Sequence, residues 1–438
     1  MRRRWTRPLL VTALAAVALL GAGVALGPWN GLAPERAAPA ATVRSPTREL
    51  DAYVARTQVH LAEVPGDWQG WAALGLARVQ LGRITYDPAH YQAAEIALRR
   101  SREVHPHDNA AALTGLGALA AARHDFREAL RYARLAVAAD NYSADAYGVL
   151  TDAYVELGRY PEATAAVQRM LDLRPDTGSF ARASYLFELR GDQRRAVELM
   201  TRARAVATTV DETTFALTHL GELAFGAGDL KTASAHFDEG LARVPGQPAL
   251  LADRAKVAAA RGDLTAAIRD LRAATAMLPT VDHLMTLADT LTAAGQTDAA
   301  GQTGDLIRLS ARLPAATPAT TDIDLILFAA DHGDAQHAVT QGKALLAARP
   351  SVKVETAYAW ALHAAGDGRA ALHHADRGLR LGTRDAQAHY YRAMIRLARH
   401  DRAGARADLT QALSINPHFS LRYGPGARTT LAELGGPA

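Results

Sequence analysis

Residues 143–176 read SADAYGVLTDAYVELGRYPEATAAVQRMLDLRPD. Tyr147, Leu150, Thr151 and Tyr154 recur at spacings of three, one and three, so they share one face of a helix. Gly158 stops that helix, because a residue without Cβ enters the left-handed cap unstrained. Pro161 and Glu162 suit the first turn of a second helix: the proline lacks an N–H that would go unbonded there, and the carboxylate meets the positive end of the helix dipole. Pro175 closes the second helix after Arg174. Ala163 falls where the two helices cross. Its small side chain lets the backbones approach, while Tyr147, Tyr154 and Val167 fill the space around it. The stretch predicts two amphipathic helices folded back on each other.

The pattern recurs along most of the chain. Ten two-helix units can be laid over 68–417, starting near 68, 110, 144, 177, 214, 248, 281, 319, 352 and 386. The first carries Trp71, Leu74 and Gly75 and closes at Pro106, with extra residues within 82–91, where Asp87-Pro88 predicts a new helix start. The second has Leu113, Leu116, Gly117 and Ala129, with Asn141 in place of the closing proline. The fourth (Phe180, Ala183, Gly191, Ala196) ends on Thr208; the fifth and sixth are near-regular and close at Pro245 and Pro279. The ninth runs through Tyr358 and Ala371, and the tenth through Ala393 and Ala405 to Pro417. The seventh departs most. Gly301 and Gly304 sit in its second helix, each costing about 1 kcal/mol relative to Ala, and a Pro/Thr-rich breaker segment follows.

The bulky–Leu–small–Tyr, Gly–Tyr, Ala, Pro order of 143–176 resembles the tetratricopeptide repeat, a two-helix unit with a period of roughly 34 residues. The resemblance implies an all-α fold, a right-handed superhelical array of about ten such repeats; the residues ahead of the array add the expectation of one preceding N-terminal hydrophobic helix. One unit cannot bury its apolar face alone, whereas stacked units share a continuous core. Function would then reside in an extended groove lined by the first helices.

The N-terminus points to a membrane. Arg2, Arg3, Arg4 and Arg7 precede residues 9–26, which carry no charge. A basic flank before an apolar run predicts targeting, with the arginines left in the cytoplasm. Eighteen residues reach the lower range for a spanning helix, yet Gly23-Val24-Ala25 also offers a small-residue cleavage site. Both an uncleaved anchor and a cleaved signal stand, and both place the rest outside the cytoplasm. The expected divisions are 1–27 (signal peptide or signal anchor), 28–46 (Pro/Ala-rich linker), 47–313 (a cap helix over 47–64 and units 1–7), 314–321 (hinge or irregular connection), 322–417 (units 8–10) and 418–438 (C-terminal cap and tail).

The basic isoelectric point, about 9.3, misleads. Residues 1–48 hold seven Arg against one acid, Glu35, which leaves 42 basic and 44 acidic residues over 49–438. No single-sign field covers the array, and nucleic acid is not an expected partner. Apolar residues make up 49% but aromatics only 6%, with Ala carrying much of the remainder; close helix–helix contact suits that balance. The chain has no Cys, which excludes a disulfide framework, a zinc-thiolate site, a cysteine nucleophile and a lipoprotein anchor.

Chemical motifs reduce to packing. Gly115-Leu-Gly-Ala-Leu-Ala120 mimics a dinucleotide loop, but no strand precedes it and Gly117 occupies a helix-contact position. Gly-Asp recurs at 191–192, 228–229, 262–263, 333–334 and 366–367; the expected role is a glycine cap followed by an aspartate N-cap, not calcium binding. His105 and His107 flank a helix-ending proline, and His363, His373 and His374 cluster in sequence without a metal-ligand spacing. No catalytic residue, cofactor or metal is expected.

The partner-binding stripe is offset from the core stripe on each first helix. In the third unit it runs Asp145, Gly148, Asp152, Val155. The same offset gives Tyr185 and Glu188, then Phe215, Glu222 and Phe225, later Ile323 and Leu327, then Trp360, and finally Tyr390, Met394 and Leu397. Acids with aromatics in units 3–5 suit a basic or amphipathic segment, and Trp360 in an apolar patch is a candidate hot spot. Lys256 is the only lysine on the middle stripe, so the Lys/Asn carboxylate clamp of some relatives is missing. The expected function is a non-catalytic scaffold or assembly factor that binds a protein or peptide in the groove, outside the cytoplasm and tethered to the membrane; the alternative is a soluble secreted binder of a small ligand or metal.

Overall fold

The computed structural model describes residues 46–311 and 323–435, with side chains from residue 49 onward. Among these residues every regular element is an α-helix. A leading helix, α1 (Pro46–Glu63), precedes ten pairs. They are α2 (Trp68–Thr85) with α3 (Pro88–Val104), α4 (Ala110–Ala122) with α5 (Phe126–Ala139), α6 (Ala144–Glu156) with α7 (Tyr160–Leu173), α8 (Thr177–Leu189) with α9 (Gln193–Val206), and α10 (Val210–Gly226) with α11 (Leu230–Arg243). Then come α12 (Pro248–Ala260) with α13 (Leu264–Met277), α14 (Val281–Ala293) with α15 (Thr297–Ala311), α16 (Ile323–Asp331) with α17 (Ala335–Ala348), α18 (Val352–Ala364) with α19 (Gly368–Gly378), and α20 (Ala386–Ala398) with α21 (Arg402–Ile415). A short α22 (Gly424–Glu433) follows.

Local chemistry sets these boundaries. Gly158, Gly191, Gly228, Gly262, Gly295, Gly333 and Gly366 each end a first helix at positive φ. Asp192, Asp229, Asp263 and Asp367 then accept a hydrogen bond from the backbone N–H three residues on, which satisfies a donor at the next helix start. Asp334 makes no such bond. Gly115 and Gly117 lie inside α4, where a Cβ would press on Leu98 and Val149. The crossing position expected of Ala163 is fully buried in that unit, and Ala129, Ala196, Ala233, Ala267, Ala338, Ala371 and Ala405 are equally buried in theirs.

One start departs from expectation. Helix α10 begins at Val210, ahead of 214, because Thr209 and Glu212 form a reciprocal capping box. Helix α2 runs on past Gly82 to Thr85, so the extra residues of the first unit lengthen its first helix before Asp87 caps α3. The hydrophobic run 9–26, the linker up to residue 45 and the connection 314–321 lie outside the described residues. Among the described residues no helix is long and apolar enough to cross a membrane.

The last three pairs lie along the edge of earlier ones. The start of α18 meets the start of α7: the Val352 N–H donates to Tyr160 Oη at 2.8 Å, both buried. One unit on, Thr383 Oγ1 donates to the Leu189 carbonyl oxygen. One further, Asn416 Nδ2 donates to the Phe225 carbonyl oxygen at 2.8 Å. The partners are 192, 194 and 191 residues apart, so the seam keeps register over three units. Arg127 Nη2 extends it by donating to the Ala347 carbonyl oxygen at 2.6 Å, and Arg349 faces Glu156 at 3.7 Å with both side chains buried.

Candidate functional site: an acidic cavity bounded by first helices

The left-handed cap of each first helix gives a common ruler. Six residues before Gly158, Gly191, Gly228, Gly262, Gly295, Gly333, Gly366 and the positive-φ His400 stand Asp152, Tyr185, Glu222, Lys256, Asp289, Leu327, Trp360 and Met394. On helices packed side by side, equal register means equal facing. Glu222, Lys256, Asp289 and Leu327, from four successive units, indeed line one cavity of about 340 Å³. Helices α10, α12, α14 and α16 supply most of its wall. Gln387 and Tyr391 of α20 and the segment 418–423 complete it.

Six carboxylates stand in the wall: Glu222, Asp253, Asp282, Asp289, Asp324 and Asp331. Lys256 Nζ sits 3.2 Å from Asp253 Oδ1 and 3.4 Å from Asp282 Oδ2. Burial works against the ammonium, but Asp282, Asp253 and Glu222 outweigh it and hold Lys256 charged well beyond its ordinary range. Lys256 in turn keeps Asp282 below the usual carboxylate range. Asp253 is the most enclosed of the three acids; burial, with Glu222 and Asp282 adding like charge, pushes it up to about 7 despite the nearby lysine. His219 Nδ1 lies 2.6 Å from Glu222 Oε2. Burial lowers the affinity of that imidazole for a proton, yet Glu222 reverses the balance and raises it. On the far wall Arg422 stands 3.5 Å from both Asp289 and Asp331.

Among the expected stripe residues, Glu222, Phe225 and Leu327 meet in the cavity. Glu188 and Tyr185 lie one unit earlier: burial pushes the Glu188 carboxyl up against the pull of Lys353, and the Lys353 ammonium lies 5.6 Å from the Tyr185 ring. Phe215 packs against the apolar cluster shared by α8, α9 and α10 and meets His219 edge-on at 4.4 Å. Asp145 and Asp152 are consumed internally. Asp145 pairs with Arg174, and Asp152 takes two 2.9 Å bonds from the buried Arg182. Ile323 packs with Ala338 and Val354, and Leu397 is half-buried.

Trp360 is not open to a partner here. It is 8% exposed, stacks on Tyr391 at 4.2 Å, and donates Nε1–H to Asp331 Oδ1 at 2.8 Å. Tyr390 and Met394 belong to the same cluster, and Tyr423 covers it edge-on to Trp360 at 5.8 Å. The cause is the tail: residues 416–423 fold back so that Arg422 and Tyr423 reach Asp331. Sequence reading treated that tail as an end cap and missed it as a wall. It also missed Asp253, Asp282 and Asp289, although the six-residue offset from Gly295 points to Asp289.

The histidines have other work. His363 packs on Trp360 at 5.0 Å, His374 Nδ1 lies 2.6 Å from Glu355, and His105 stacks on Trp68 at 4.4 Å. Among the described residues no group of three or more His, Cys, Asp or Glu is placed to hold a metal ion.

Residues 120–184 match the family model described as tetratricopeptide repeat, and they contain the whole stretch 143–176. Among solved structures the chain is similar to Pseudomonas aeruginosa pilF, at 15% identity over 51% of this chain and 98% of that one, TM-score 0.40. It is similar to PilW, a type IV pilus biogenesis factor, at 18% identity over 47% and 94%, TM-score 0.40. It is also similar to human IFIT1 in a dimer with PPP-AAAA, at 14% identity over 76% and 78%, TM-score 0.49. No curated protein matches. The matched segment supports the tetratricopeptide character of the repeats.

Proposed function

We propose that this chain is a non-catalytic scaffold or assembly factor that holds a protein or peptide partner along the stripe of its first helices. It works outside the cytoplasm, tethered through residues 9–26. One observation carries the binding part: side chains of equal register from four successive units converge on one cavity. Packing alone has no need of such convergence of charge, since like carboxylates brought together cost stability. The placement rests on the Arg-flanked apolar run.

A photo-crosslinking residue at Leu327, used in native membranes, tests the binding part. A discrete protein adduct is the expected result; no adduct above a surface-position control contradicts it. A reporter fused after Ala41 tests placement and should be active only outside the cytoplasm. The second reading, a soluble secreted binder of a small ligand, is favoured by one feature: the cavity's volume falls at the lower end of ordinary small-molecule pockets. Native mass spectrometry of the purified chain separates the two, because a small-ligand binder retains a bound molecule of fixed mass.

A further inference from the structure

We infer that the cavity between α10, α12, α14, α16 and the tail takes a basic side chain, the lysine or arginine of an extended segment of the partner. This rests on the scaffold reading and adds the chemistry of what the scaffold holds.

Charge balance is the first support. Six carboxylates (Glu222, Asp253, Asp282, Asp289, Asp324 and Asp331) line the cavity with two fixed cations, Lys256 and Arg422. An anion is repelled there, and a neutral occupant displaces water from carboxylates that it cannot neutralise. A cation offsets both costs.

The second support is a cation already seated. Lys256 projects from the wall and places its ammonium between Asp253 and Asp282. The wall thus demonstrates the group it accepts, and the carboxylates still outnumber the cations after Lys256 is counted.

The third is shape. Phe225, Phe328, Tyr391 and Phe419 line the same space, and aromatic faces attract ammonium and guanidinium groups within about 6 Å. Arg308 lies 5.8 Å from the Phe328 ring and Arg422 lies 5.8 Å from the Tyr423 ring, so two rings of this wall already face arginine. A cavity of about 340 Å³ holds one long side chain with its hydration water, not a folded surface. The row of equal register continues outside it to Tyr185, with Glu188 alongside, which gives the flanking backbone of a segment somewhere to lie.

The test uses the full chain and a fluorescent alanine-rich nonapeptide with one central lysine, read by anisotropy. A matched peptide with acetyl-lysine is the control, and spermidine is the competitor. The expected result is saturable binding of the lysine peptide that weakens with salt, and binding of the acetylated peptide at least about tenfold weaker. The double variant Glu222→Gln/Asp282→Asn, with its melting temperature checked, should lose about tenfold or more. Lys256→Met should bind more tightly, since the resident ammonium no longer competes; if Lys256→Met fails to fold, the double variant decides alone. Equal binding of both peptides overturns the inference, as does binding unmoved by the double variant. Spermidine displacing the peptide at equal or lower concentration assigns the site to a small amine and overturns the peptide form. A Leu327 adduct that persists unchanged in the double variant sinks this inference and leaves the scaffold standing, whereas the absence of any adduct from the otherwise unaltered chain sinks the scaffold.

Discussion

Gly158 and Gly191 each satisfy two demands at once. Both sit at positive φ, and a Cβ on either would run into a backbone carbonyl of the late loops, Pro350 for the first and Gly382 for the second. Gly262 and Gly366 share the positive φ, but a Cβ there meets nothing within 4 Å. Alanine at Gly262 or Gly366 should therefore cost only the left-handed penalty, about 1–2 kcal/mol. Alanine at Gly158 or Gly191 should cost at least about 1 kcal/mol more, because a backbone carbonyl cannot yield as a side-chain tip can. Urea unfolding of the four variants measures the difference, and four equal costs would mean that the late loops do not approach. Asp253 provides a second test at this scale. Its folded value, about 7, stands above that of the unfolded chain, so the native state holds a proton that the unfolded state has lost. Stability from this group is full below about pH 4 and is lost as pH rises toward about 7. Asp253→Asn removes that dependence. Its unfolding free energy relative to wild type should rise between pH 4 and 7, and a flat or falling difference would contradict the burial of this acid.

At the scale of helices, what the sequence discloses depends on how far apart the partners are. Caps and turns are made within four residues, so Gly158, Pro161 and the Gly-Asp pairs announce their helices directly. The crossing alanines are legible for the same reason, since each hairpin closes over about one period. The register of the stripe was legible too, in the count back from each cap. Which stripe residues remain available was not. Asp152 faces Arg182 across a hairpin boundary, 30 residues away, and Trp360 is covered by a tail that reaches back to Asp331 from 92 residues on. No periodicity encodes such pairings. Trp360→Ala should accordingly destabilise the fold by about 3–5 kcal/mol, as loss of a core aromatic does. Near-normal melting would mean that the ring is uncovered after all and available to a partner. Tyr160→Phe strips the acceptor from the buried Val352 N–H and should cost about 1–3 kcal/mol; a cost below that range would mean that water already reaches the seam.

On the scale of the whole chain, the seam changes what the array offers. A stack of repeats ordinarily gains stability only from nearest neighbours. Here the hydrogen bonds at Tyr160, Leu189 and Phe225 tie units 3–5 to units 9 and 10 across separations near 190 residues. The connection 314–321, expected to be a hinge or an irregular connection, lies outside the described residues, but the units on either side of it are joined by that seam. The same return brings α20 and the tail against α10, α12, α14 and α16, and so bounds the acidic cavity. Closure is thus the premise on which the binding proposal depends. It can be measured cleanly, because the chain has no Cys and two introduced cysteines carry the only labels. Arg127 and Ala347 are both exposed, and the Arg127 guanidinium reaches the Ala347 carbonyl oxygen. Nitroxides at Arg127→Cys and Ala347→Cys, read by pulsed electron–electron dipolar spectroscopy, should give a narrow distribution near or below about 20 Å. Six units stacked without return, at about 8–10 Å between neighbouring helices, would instead place the labels roughly 50–60 Å apart, and that result would contradict the closed array.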